Sequence, residues 1–146
     1  MKKILIIISC LVLLVTGCGK EEKEDTKLKE FNERRSNYIK GIGTTSDNKV
    51  VVKYKNNKEE DCYYVFYVYQ TTYSQKQITI HNDKESYHNL VNKYATNTYS
   101  ELVHNYDLLT SEIMLKKNQK VSDGKVKEHL LNKYSDTSKY TIIKSE

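Results

Sequence analysis

Hydrophobic and polar residues follow three different rhythms along the chain, and each predicts a different element. Ile4 to Val15 is an apolar run of twelve residues in which only Ser9 and Cys10 interrupt the aliphatic character. A helix of that length spans about 18 Å, short of the ~30 Å hydrocarbon core of a bilayer, and no later segment approaches the length of a span. From Lys20 to Arg35 the pattern inverts: twelve of sixteen residues are charged, six of each sign, with Leu28 and Phe31 as the apolar members. So polar a stretch buries too little surface to offset its ordering entropy and is expected to stay solvated. A mixed-charge helix from about Thr26 is compatible with the near-helical spacing of Leu28, Phe31, Arg35, Tyr38, Ile39 and Ile42, with Gly41 and Gly43 breaking it.

From about Asp47 the period shortens to two. Lys49 to Lys55 reads as a strand with Val50, Val52 and Tyr54 on one face, and Asn56 to Asp61 as a polar turn. Cys62 to Tyr73 reads as a second, central strand, since both of its parities are apolar or amphipathic, and Gln77 to His81 as a third. Asn82 and Glu85 then form a capping-box pattern ahead of a helix whose stripe is Tyr87, Leu90, Val91 and Tyr94. Thr98 and Glu101 repeat the cap logic ahead of Leu102, Tyr106, Leu109 and Ile113, a helical spacing. The rival reading breaks that region into two strands around Asp107. A last helix starting at Ser122 or Asp123 carries Val126, Leu130 and Tyr134, and Tyr140 to Ile143 closes the chain as a strand. The sum is an α+β domain, a small antiparallel sheet with about three helices packed on one face.

The apolar run has a basic start, Met1-Lys2-Lys3, and ends in Val15-Thr16-Gly17-Cys18. Basic start, short apolar run and small-residue end fit a secretory signal peptide. The final tetrapeptide resembles the lipobox of bacterial lipoproteins. That resemblance implies a diacylglyceryl group on the Cys18 sulfur and cleavage between Gly17 and Cys18. Two acyl chains at about 0.8 kcal/mol per buried methylene anchor stably where one exchanges. The alternative is a plain secretory leader with Cys18 placed by chance. The expected organisation is a signal peptide over 1–17, a lipid-anchored charged tether over 18–46 and one domain over 47–146, held on the extracytoplasmic face of the cell membrane.

Composition changes this picture little. Lys supplies 22 of 24 basic residues, Asn occurs 12 times, Tyr 13 times against two Phe, and Pro and Trp are absent. These biases follow A- and T-rich codons and point to an AT-rich, low-GC Gram-positive genome. The formal charge of +5 falls once Lys2 and Lys3 are set aside, leaving 22 basic against 19 acidic residues, or +3. With export, that excludes nucleic acid as an expected partner. A two-lobed solute receptor needs more than the roughly 129 mature residues.

Candidate chemistry is sparse. Gly41 to Ser46 mimics the opening of a dinucleotide fingerprint, but Ser46 replaces the third glycine and no strand precedes it. Cys62 is a lone body thiol, and His81 or His104 could serve it as base. The spacing matches no cysteine-protease signature, and a small buried residue is the simpler reading. His81, His88, His104 and His129 lack zinc-ligand spacing, although His81, Asp83 and His88 lie close together in sequence. Glu59, Glu60 and Asp61 read as turn charges that discourage edge pairing. No catalytic residue, metal or cofactor is expected. The candidate binding surface is Tyr63, Tyr67, Tyr69 and Tyr73, because Tyr joins a large apolar ring to a hydroxyl that prefers water. The competing reading puts these rings in the core as substitutes for Phe and Trp. The expected function is a non-catalytic binding module contacting an envelope polymer or protein; the alternative is an envelope enzyme or enzyme accessory acting on wall material.

The body also resembles the YehR-like small lipoproteins over about residues 48 to 143. The resemblance rests on the Tyr-Lys-Asn-Asn-Lys hairpin, the Asn82–Thr96 helix with its Asp-Lys-Glu start, and a late helix leading into a final strand. The chain departs from it in its strand-poor middle and its Tyr-dense second strand. It implies a fold class and no residue roles.

Overall fold

A computed structural model describes residues 2–44, 46–96 and 101–144, the side chains from residue 21 onward. Two compact units divide the chain, Met1–Asn37 and Tyr38–Glu146. Residues 2–37 of the first belong to helix α1 (Lys2–Gly43). Lys, Glu, Leu and Arg are good helix formers and no proline interrupts them. Every residue from Glu21 to Glu30 is exposed, and the Arg35 guanidinium lies 5.3 Å over the Phe31 ring. Among the described residues, no helix is long and apolar enough to cross a membrane. The side chains of the Val15-Thr16-Gly17-Cys18 tetrapeptide lie outside the described ones.

The second unit is α+β. Its elements after α1 are β1 (Lys49–Lys55), β2 (Asp61–Tyr69), β3 (Thr72–Ile80), α2 (Lys84–Ala95), β4 (Leu102–Asn105), β5 (Thr110–Lys120), α3 (Val126–Lys133) and β6 (Thr141–Ile143). The strands form one six-stranded sheet in the order β4-β5-β3-β2-β1-β6, and every pairing is antiparallel. Both edges are short strands, which limits the backbone left open to edge-to-edge pairing.

Because side chains alternate along each strand, the sheet offers two apolar faces. On one face Val50, Val52, Phe66 and Tyr73 pack beneath Val126, Leu130 and Tyr134 from α3 and its C-terminal flank. The Phe66 ring lies 5.4 Å from Tyr134 and 5.7 Å from Tyr73. Helix α2 covers the β4 end of this same face, where the Tyr87 hydroxyl meets His104 Nδ1. On the other face Val51, Tyr63, Val65, Ile78 and Ile80 are closed by Ile42, with Tyr38 and Ile39 beside it. The helices α2 and α3 therefore form the expected layer on one face, and the end of α1 adds cover to the second. Tyr38 donates to Glu112 Oε1 at 2.7 Å, and Lys76 Nζ lies 3.1 Å from Glu112 Oε2. Lys49 Nζ donates to the Ile42 and Thr44 carbonyls, so a lysine caps the end of α1.

Three expectations change. The Cys62–Tyr73 strand is divided at Gln70-Thr71, and β3 begins at Thr72 rather than Gln77. Leu102 to Ile113 forms a hairpin, the second of the two readings, in which Leu102 pairs with Ile113. The apolar spacing that imitates a helix is the in-register spacing of two strands around a turn containing Leu109 at φ 52°. Thr98 lies outside the described residues. The N-cap of α2 is Asp83, whose carboxylate accepts Ser86 N–H at 2.8 Å; the Asn82 amide N–H instead donates to Glu60 Oε2.

Candidate functional site

The four candidate tyrosines do not form one surface. Tyr63 is 3% exposed and Tyr73 5%, Tyr67 is half-buried, and Tyr69 is 59% exposed. The turn at Gln70-Thr71 is the cause. It pairs Tyr73 with Val68, and so sends Tyr73 to the Phe66 face while Tyr63 and Tyr67 pack with Val65 on the opposite one. Two of the four rings are core.

Cys62 is fully buried. Its sulfur lies 3.8 Å from Thr79 Oγ1, and burial pushes its thiol up from the ordinary value, the reverse of what a nucleophile needs. His104 is exposed and engages Tyr87 rather than sulfur. Among the described residues no group of three or more His, Cys, Asp or Glu side chains is placed to hold a metal, so His81, Asp83 and His88 do not converge on one.

The residues that do converge start from the β1–β2 turn. Asn56 Oδ1 accepts the backbone N–H groups of Lys58 and Glu60 at 2.9 and 3.0 Å, an Asx-type turn. Glu59 takes a left-handed φ of 58°. The chain thereby folds Glu60 inward, and it is 1% exposed instead of a solvated turn charge. Its Oε1 accepts from Asn56 Nδ2 at 3.0 Å and from Ser86 Oγ at 2.9 Å, and its Oε2 accepts Asn82 N–H at 2.8 Å. His81, also sealed, lies beside it with Nδ1 3.5 Å from Glu60 Oε2 and 3.2 Å from Ser86 Oγ. On its far side His81 Nε2 is 2.8 Å from Ser111 Oγ.

Hydrogen counting orders this chain of contacts. Ser86 has one hydroxyl hydrogen and gives it to Glu60, so toward His81 it accepts, which places a proton on Nδ1. Nε2 accepts from the Ser111 hydroxyl in the neutral ring and donates to it in the charged one. Acid, imidazole and hydroxyl thus stand in the order of a serine-nucleophile triad. Access decides against that use in this arrangement. Ser111 lies within β5 at 1% exposure and is not on the wall of the adjacent cleft. Burial alone would raise the Glu60 carboxyl. Hydrogen bonds from Asn56, Asn82 and Ser86, with His81 beside them, outweigh it and hold the group below the usual glutamate range. The cluster ties the β1–β2 turn, the end of β3, the start of α2 and β5 into one polar knot.

The knot forms the floor of a cleft of about 490 Å³ between the Asn56–Glu60 turn and α2. Tyr54 and Gln77 enter it from the sheet, Lys58 from the turn, and Asn89, Lys93 and Tyr94 from α2. The Tyr54 ring is held by stacking on Tyr64 at 4.4 Å. Two further clefts, of about 400 and 490 Å³, flank the β2–β3 turn, and neither is lined by the buried carboxylate and imidazole found here. Sequence reasoning singled out His81 but not Glu60, Ser86 and Ser111 as its partners, because strand pairing, not local spacing, assembles them. The nearest sequence signal was a histidine two residues ahead of the helix cap Asp83. No protein-family model, curated protein or solved structure matches this chain.

Proposed function

We propose that the protein is a bacterial lipoprotein, anchored through a diacylglyceryl group on Cys18, whose α+β domain is a non-catalytic binding module of the cell envelope. The observation that carries this reading is the Val15-Thr16-Gly17-Cys18 tetrapeptide at the end of a short apolar run with a basic start. The exposed charged stretch from Glu21 to Glu30 suits an arm that keeps the domain off the membrane. The polar cleft above Glu60 and His81 gives such a module a concave surface with convergent polar groups.

A second reading draws on the order Ser111–His81–Glu60, which favours an envelope hydrolase acting on wall material. It ranks behind binding because Ser111 is sealed. The deciding experiment is the intact mass of membrane-extracted protein, wild type beside Cys18→Ser, with protease shaving of whole cells. The proposal expects a product beginning at Cys18 with an added diacylglyceryl mass, lost in the variant and reachable from outside. An unmodified product retaining Lys2 and Lys3 overturns it.

A further inference from the structure

Building on the reading of the chain as an envelope binding module, we infer that the cleft between the Asn56–Glu60 turn and α2 binds an acidic saccharide, a polyhydroxylated ring bearing a carboxylate. Three properties of the cleft lead there. Its volume of about 490 Å³ lies within the roughly 300–1,000 Å³ of small-ligand sites. It is too small for a folded partner and wide enough for one or two sugar rings.

Its walls mix aromatic rings with side-chain amides. Tyr54 and Tyr94 offer flat apolar surface for the C–H face of a pyranose. Tyr54 is held in place by its stack on Tyr64, which lowers the ordering cost on binding. Gln77 and Asn89 each present both a donor and an acceptor, the pair that a hydroxyl needs, since a hydroxyl gives one hydrogen and accepts at its lone pairs.

Charge selects among saccharides. The one carboxylate at the floor, Glu60, already receives Asn56, Ser86 and Asn82 donors and has His81 beside it, so it has little to offer a cation. At the rim, Lys55 is tied to Asp61 at 2.9 Å. Lys58 and Lys93 remain as exposed ammonium groups, with Lys93 Nζ 5.4 Å over the Tyr94 ring. The opening is therefore cationic above an amide-rich wall, and the ligand that matches it carries hydroxyl groups and a negative charge.

The test is isothermal titration of the full-length protein in detergent micelles with D-glucuronic, D-galacturonic and N-acetylmuramic acids. Glucose, galactose and N-acetylglucosamine serve as neutral counterparts, and sodium phosphate as a bare anion. At least one acid should bind saturably and about tenfold or more tighter than its neutral counterpart. Lys58→Ala with Lys93→Ala should weaken that binding about tenfold, as should Asn89→Ala, while the distant Lys127→Ala leaves it unchanged. All of these positions are exposed, so loss of fold does not confuse the result. Equal binding of acid and neutral sugar, competition by phosphate, or no binding of any acid overturns the inference. Mass measurement of the same sample separates the two readings: lipidated protein that binds no acid sinks the saccharide alone, and unlipidated protein that binds one sinks the anchor alone.

Discussion

His81 Nδ1 stands 3.5 Å from Glu60 Oε2 with both side chains sealed from solvent. The pair persists in the interior because the carboxylate has three further donors, from Asn56, Ser86 and Asn82. Burial acts to raise the Glu60 pKa, and these partners together overcome it and hold it below the usual value. A group whose folded pKa lies below its unfolded value of about 4.3 contributes stability that is present above that pH and lost as pH falls through the folded pKa. A carbon-detected titration of the Glu60 carboxyl should therefore give a midpoint below about 4.3, and the urea midpoint should drop as the pH is taken below that value. Glu60→Ala strands three donors and a buried imidazole. It should cost about 3 kcal/mol at pH 7 by urea denaturation, with Glu60→Gln costing less. A variant within about 0.5 kcal/mol of wild type would show that the knot carries no weight.

The second unit begins at Tyr38, upstream of the expected domain start at Asp47. Ile42 is 6% exposed against Val51, Tyr63 and Val65, and Tyr38 donates to Glu112. Removing residues 1–36 keeps Tyr38, Ile39 and Ile42 in place and sets the reference midpoint of the sheet domain. Removing residues 1–46 takes Tyr38, Ile39 and Ile42 off Val51, Tyr63 and Val65, and with about 1.5–3 kcal/mol for each fully buried large apolar side chain it should cost roughly 4 kcal/mol or unfold the domain. Tyr38→Phe, which deletes only the hydroxyl, should cost about 1 kcal/mol. Equal midpoints for the two truncations would refute a structural role for the end of α1.

Where the chain declares its period without competition, the sequence was readable. Lys49 to Lys55 alternates cleanly and forms β1 over those same residues, and Val126, Leu130 and Tyr134 point into the core from the last helix as their spacing requires. The two misread strand regions both fall at turns, and only the second contains turn residues, Asn105 and Asp107. Gln70-Thr71 contains neither Gly nor Asn, so a break between two strands was invisible and four tyrosines looked like one face. Leu102 and Ile113, partners across a hairpin, fall on a helical repeat by coincidence of turn length. The polar knot was illegible for a different reason. Glu60 and His81 meet through β2–β3 register, and Ser111 arrives from β5, so no local spacing encodes the contact.

Cys62 should be chemically silent in the folded protein. It is fully buried, and burial raises its thiol pKa, so little thiolate forms near neutral pH and none of it is accessible. Site-resolved mass mapping after iodoacetamide treatment should find Cys62 unlabelled in native protein and labelled after unfolding in urea. Its native rate should be slower than that of a free thiol by about two orders of magnitude or more, set by opening of the sheet rather than by chemistry. Rapid native labelling would restore Cys62 as a candidate nucleophile.

Ser111 distinguishes a binding module from a hydrolase most directly. Its hydroxyl has the imidazole at 2.8 Å that an acyl-transfer nucleophile requires, and His81 has the carboxylate behind it. What it lacks is a path, since Ser111 is 1% exposed and stands apart from the cleft wall. Activation without access gives no reaction, because the electrophile must reach within about 3–3.5 Å of the oxygen. A fluorophosphonate probe should therefore leave Ser111 unmodified in native protein at concentrations that label a working serine hydrolase within minutes. Ser111→Ala removes a buried hydrogen bond and should lower stability by about 1–2 kcal/mol without changing saccharide binding at the cleft. Labelling of Ser111, abolished by His81→Gln in a variant still folded by circular dichroism, would reverse the order of the two readings and make the knot an active site that opens.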